Sequence, residues 1–289
     1  LAMGGMTPSA INVVESFALA STGNGIDFGD LTATASQGGG CGDVVRGLCM
    51  SGERAGSGSA NIDVVHFASK GNTSNFGSSS VARRRGAGLS NNTRGVLAGG
   101  HTPTKSNVID FVTIATAGDA SDFGDLAAAT TQAGGIASPT RGVTGGGSTG
   151  SDINVIQYIT IASTGDAADF GDLTAARSNI ASSGSITRGL FAGAYPVGNI
   201  IDFITIASTG DASDFGDLTV SRGGGCNGGA LSNKVRGLFA GGYAYPADPA
   251  NSNVIDFVTI ASTGNATDSG DLTAVKQNLT TASNGHGGL

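Results

Sequence analysis

The chain has 289 residues, with 50 glycines, 39% hydrophobic and 13% charged residues, no Trp, a formal net charge of −7 and a pI of about 4.7. Glycine at this density works against helices, where each one costs about 1 kcal/mol relative to Ala, and favours short strands joined by tight turns. The acidic balance argues against a nucleic-acid-binding surface, no apolar run reaches the roughly 18 residues of a membrane-spanning helix, and three cysteines are too few for a disulfide framework.

In chain order, the first element is "LAMGG" (1–5), which matches "LAGG" (97–100) to within one residue. The chain begins with Leu and shows no secretory leader, as expected of a processed product or a piece of a longer one. From there a repeat runs to the end. A "DFGD" signature places Phe28, Phe76, Phe123, Phe170 and Phe215 in one slot, with Ser269 sixth. An Arg-Gly pair before an apolar run recurs at Arg46, Arg94, Arg141, Arg188 and Arg236. Both landmarks keep a period of about 47 residues, so there are six copies.

Copy five shows the expected elements. A short apolar strand (237–242) ends in a Gly pair, and an alternating β-branched strand follows (253–262). A turn then feeds a third strand (263–272), and a more variable fourth (273–283) leads to the next Arg-Gly strand. At the C-terminus, "SNGHGGL" (283–289) aligns with "SNNTRGV" (90–96), so the sixth copy starts at the C-terminus and is finished by the N-terminus, with the seam inside a strand. Joint completion of one blade by both termini is how a toroid removes its open edges. The expected fold is an all-β, six-bladed β-propeller of four-stranded antiparallel blades, one domain over residues 1–289. Cys41, Cys49 and Cys226 read as small buried side chains.

The order apolar strand, Gly-Gly, variable loop, apolar strand, turn, aromatic, Leu, Arg resembles the kelch motif. It is carried by "LFAGG" (238–242), "NVIDFVTI" (253–260) and "DFGDL" (214–218) with Arg222. Phe, and once Ser269, stands where kelch blades carry Trp. The fuller wording of the repeat resembles kelch-like proteins of bacteriophages that infect marine bacteria, such as cyanophages. That resemblance implies a non-enzymatic virion structural or adhesion protein at the particle surface, with virion proteins or a host-surface receptor or glycan as partners. Self-association into a homo-oligomer is compatible with such a role. A purely architectural subunit is the alternative, and a carbohydrate-active lyase or oxidase on a propeller scaffold is a third.

Four residue patterns bear on function. The acids Asp119, Asp122 and Asp125, then Asp166, Asp169 and Asp172, then Asp211, Asp214 and Asp217 suggest calcium by their spacing. Copies with Asn24, Asn72, Asn75, Ser78 and Asn265 in those slots favour backbone-bonded turns instead. The Arg-Gly arginines could ring an anion, but Glu15, Asp63, Asp110, Asp202 and Asp256 (Gln157 in one copy) on the adjacent strands suggest structural Arg–acid pairs. His66, His101 and His286 lie in different copies and non-equivalent slots, and no nucleophile or metal motif is present, so neither catalysis nor a cofactor is expected. The loops after the Gly pair vary most and hold three of the four tyrosines. They make Tyr195, Tyr243, Tyr245 and His101 the candidate ligand-binding residues. No membrane insertion or nucleic-acid partner is expected.

Overall fold

The computed structural model describes residues 1–194, 198–223, 231–244 and 251–289. Among these every regular element is a strand, and the strands form six antiparallel blades of a β-propeller. Blade 3 shows the plan: Ala87–Ser90 lies innermost, followed outward by Arg94–Thr102, Thr104–Thr113 and Ser121–Asp125. Blades 4 and 5 repeat it, starting at Gly134–Ala137 and Ala181–Gly184. Blade 2 starts at Gly39–Gly42. In blade 6 the inner position is held by Leu231 and Ser232, through the Leu238 amide to the Leu231 carbonyl and a bridge from Ser232 to Gly237.

Blade 1 closes the ring. Thr280–Thr281 is its inner strand, Ala2–Met3 the second, and Ser9–Ser16 and Ile26–Ala35 the outer two. Both termini therefore share one blade. The seam lies between two strands, not inside one as the alignment of 283–289 with 90–96 suggested. The Leu1 amine donates to Ala282 O at 2.7 Å and the Ala282 amide to Leu1 O at 3.1 Å. Residues 286–289 leave the sheet instead and turn into the mouth of the axial channel. In every copy, moreover, the variable fourth strand of the repeat is the innermost strand of the next blade, so repeat and blade are out of phase.

Among the described residues the core is divided into separate clusters. Buried clusters straddle the junctions between blades, such as Phe123, Leu126 and Ile109 of blade 3 with Ile159 and Ile161 of blade 4. The repeat "IDFITIASTGDASDFGDLT" (201–219) is the joint itself. Its outer strand pairs with the turn of the following blade: the Gly264 amide donates to Phe215 O and the Ala266 amide to Asp217 O, both at 2.7 Å. A Cβ on Gly216 would stand 2.5 Å from Gly264 O, and φ there is +143°, so only glycine fits this backbone-to-backbone approach. The same joint recurs at all six junctions, ending with Gly270 against Gly23.

The acids of the repeat are paired, but not with the Arg-Gly arginines. Asp110 of blade 3 meets Arg83 of blade 2 at 2.8 Å, Asp202 meets Arg177, Asp256 meets Arg222, and Glu15 meets Lys276, all buried and all between blades. Asp63 finds no cation at the equivalent Ala35 and takes Arg54 from its own blade. In the remaining junction both charges are missing together: Thr130 stands for the cation and Gln157 for the acid. The Arg-Gly arginines do other work. Arg94, Arg141, Arg188 and Arg236 lie over the rings of Phe111, Tyr158, Phe203 and Phe257, 4.4–4.7 Å from the centroids. Arg94, Arg141 and Arg188 also donate to Ile161, Ile206 and Ile260 carbonyls of the following blade, as Arg46 does to Ile114.

Candidate functional site

Among the described residues the loops between the second and third strands and the segments leading to the next inner strand emerge at the same end of the ring. They meet there through isolated bridges: Met6 with Gln277, Ser36 with Glu53, Arg84 with His101, Thr131 with Ser148, and Gly223 with Tyr243. His101, Ser148 and Tyr243 occupy one repeat position, directly after the Gly pair, and so stand on a common rim with Met6 and Glu53.

Inside that rim lies a second ring. Gln37, Arg85, Gln132, Asn179 and Asn278 stand one each in five of the six blades, just before the inner strand, and the sixth counterpart, position 224, lies outside the described residues. All five adopt left-handed backbone, with φ between +54° and +64°. This conformation costs a non-glycine residue on the order of 1 kcal/mol. Part of the ring is tied by backbone bonds from blade to blade: Gln37 N–H to Asn278 O, Arg85 N–H to Gln37 O, and Gln132 N–H to Arg85 O, at 2.7–3.0 Å. Side chains pair along it as well, Arg85 Nε to Gln37 Oε1 at 2.9 Å and Gln132 Nε2 to Asn179 Oδ1 at 2.6 Å.

The two rings enclose a funnel of about 510 Å³, lined by Arg85, Gln132, Asn179, Asn278, Asp152 and Tyr243 among others. Arg85 and Asp152 are the charged lining residues among the described residues. Burial, with the neighbouring Arg84 charge, pushes the Arg85 guanidinium below its usual pKa while Glu53 works the other way. The opposite end of the channel is plugged. His286 is buried there, its Nε2 3.0 Å from Gly42 O and 3.2 Å from Ser90 Oγ, and Gly287 and Gly288 crowd the carbonyls of Ala137, Ser185 and Ser90. A cavity of only about 10 Å³ remains beside His286. The funnel is a cup, not a pore.

The sequence-derived candidates distribute unevenly. Tyr243 lines the funnel. His101 stands on the rim, half-buried, its pKa lowered by burial and by the charges of Arg84, Arg85 and Lys105. Tyr195, Tyr245 and Cys226 lie outside the described residues. Cys41 and Cys49 are buried, and burial raises both thiol pKa values, that of Cys49 to about 11. The inner ring was not singled out from sequence, although each member falls seven residues after the last residue of its "DFGD" signature (Asp30, Ser78, Asp125, Asp172 and Asp271).

The acidic turns lie at the other end. Asp119 Oδ1 accepts the Ser78 amide, Asp166 the Asp125 amide and Asp211 the Asp172 amide, at 2.9–3.0 Å. Asn24, Asn72 and Asn265 accept the equivalent amides in the other copies. The job needs an acceptor, not a charge, which is why Asn and Asp interchange. Among the described residues no three acids, His or Cys converge into a group that could hold a metal. Asp166→Asn should therefore leave the melting temperature in place, Asp166→Ala should lower it by a few degrees, and calcium chloride should move neither. A calcium-dependent rise in the wild-type midpoint would restore the metal reading.

No protein-family model and no curated protein sequence matches the chain.

Proposed function

We propose that this propeller is a non-enzymatic recognition protein, a structural or adhesion component of a bacteriophage particle of the kelch-like kind, binding a host-surface molecule or another virion protein through the funnel. One observation carries the reading. The residues repeated from blade to blade are consumed in joints, ion pairs and stacked arginines, whereas residues that differ between blades converge on the funnel and its rim. Variable polar and aromatic side chains on a rigid scaffold are what recognition requires. The test is co-purification with assembled particles and adsorption to host cells, in wild type and in an Arg85→Ala/Tyr243→Ala variant. Loss of host or particle binding with unchanged melting is the expected result. Wild-type binding that survives this variant would move recognition elsewhere.

An architectural subunit is the second reading, supported by exposed Val44, Val45, Ile186 and Val235 on equivalent loops around the plugged end. Val45→Ser/Val235→Ser would weaken particle incorporation under that reading alone.

A further inference from the structure

We infer that the funnel's ligand is an uncharged, hydroxyl-rich molecule, with neutral saccharides as the fitting class. The inference rests on the recognition reading above and adds the chemistry of the ligand.

Carboxamides dominate the lining: Gln132, Asn179, Gln277 and Asn278, alongside Ser148 and Ser178. Gln132 Nε2 is already given to Asn179 Oδ1 and Asn278 Nδ2 to Met6 Sδ, so the first pair turns one acceptor, Gln132 Oε1, and one donor, Asn179 Nδ2, toward a ligand; a sugar hydroxyl is itself both, so the two match without any charge on the ligand. Among the described lining residues Arg85 and Asp152 bring one positive and one negative charge, which balance each other. Among the described residues the terminal nitrogens of Arg85 donate to nothing, its Nε alone being held by Gln37, so they are free to meet ligand hydroxyls. Tyr243 adds an aromatic side chain to this otherwise polar lining. A volume of about 510 Å³ lies within the roughly 300–1,000 Å³ of small-ligand sites.

The backbone gives an independent reason. Glycine would satisfy left-handed φ without strain and Asn adopts it readily, yet Gln37, Arg85 and Gln132 stand at three of the five inner-ring positions. The strain is tolerated where a side chain is delivered to the channel mouth, the pattern expected of a working site.

The test is amide chemical-shift mapping on the full chain with lactose, maltotriose and cellotriose as neutral probes, and glucuronate, glucosamine and inorganic phosphate as charged ones. Neutral saccharides should shift the amides of Arg85, Gln132, Asn179 and Asn278. Gln132→Gly should weaken that binding about tenfold, the order expected from losing one hydrogen-bonding side chain. Its melting temperature should stay level or rise, because glycine relieves the strain, whereas Gln132→Ala keeps the strain and melts lower. Shifts produced by the charged probes alone would overturn the ligand class and leave recognition standing. Silence from every probe, with host or particle binding lost in Arg85→Ala/Tyr243→Ala, would overturn the saccharide and point to a macromolecular surface. Silence with that binding retained would overturn both readings.

Discussion

Arg83→Met should cost the fold about 3–5 kcal/mol, measured as a shift in the urea midpoint at constant slope. Arg83 and Asp110 are fully buried at 0% exposure and sit 2.8 Å apart at the junction of blades 2 and 3. Burial disfavours the charged guanidinium, and Asp110 is what holds the charge in place. Its Nε and Nη1 find no partner, so the pair is imperfectly satisfied already. Removing Arg83 leaves Asp110 with only the Ser80 amide and hydroxyl. A buried carboxylate so exposed to low dielectric is far costlier than the pair was worth. The next junction supplies the control. There Thr130 and Gln157 occupy the same two positions, and Gln157 Oε1 accepts the Ala127 amide just as Asp110 accepts that of Ser80. The double variant Arg83→Thr/Asp110→Gln, a copy of that neutral junction, should recover most of the loss. If the double variant is as unstable as the single one, the pair is not what Arg83 contributes.

The same comparison explains what could be read from the sequence. The period and the closure were legible because a blade joint is a local string: turn, Phe, Gly and Asx recur at fixed offsets, and each offset has a steric or hydrogen-bonding cause. Gly216 is glycine because the next blade's backbone leaves no room for a Cβ. The ion pairs were misassigned because pairing between blades is not local. Within blade 3, Arg94 and Asp110 lie on adjacent strands, and adjacency made them natural partners. Yet the cation comes from Arg83 across the junction, while Arg94 stacks on Phe111. One sequence signal did exist: Gln157 departs from the acid slot in the copy whose preceding repeat has Thr130 in the cation slot.

The funnel was half legible for a related reason. Variation among the loops after the Gly pair marked the rim and placed Tyr243 on it. Nothing in residue type betrays a left-handed Gln or Arg, since the cue is φ and not identity. Gln37, Arg85 and Gln132 thus read as ordinary polar residues of a variable strand until the backbone is seen. The phase of the blade had the same effect, because the variable fourth strand is the wall of the channel in the following blade.

Acidification should destabilise the protein through His286. Burial pulls the imidazole pKa down to about 4 from an ordinary 6.5, against the smaller opposing pull of the Gly42 carbonyl and Asp43. The geometry explains the neutral form: Gly288 N–H must donate to Nδ1 at 3.1 Å, so Nδ1 is unprotonated and Nε2 carries the hydrogen aimed at Gly42 O. A second proton would have to enter at Nδ1 and break the Gly288 bond in a site closed to water. Because the folded pKa lies below the unfolded one, the unfolded chain binds more protons between them. Stability is therefore complete above about pH 6.5 and falls as pH drops toward 4, by about 2 kcal/mol near pH 5 and about 3 kcal/mol at the limit. Urea unfolding of wild type and His286→Gln across that range isolates the contribution, since the other titrating groups are common to both. His286→Gln should be the less stable near pH 8 and lose its disadvantage on acidification. Parallel curves for the two proteins would mean that the plug opens freely to solvent and that residues 286–289 contribute nothing to closing the channel.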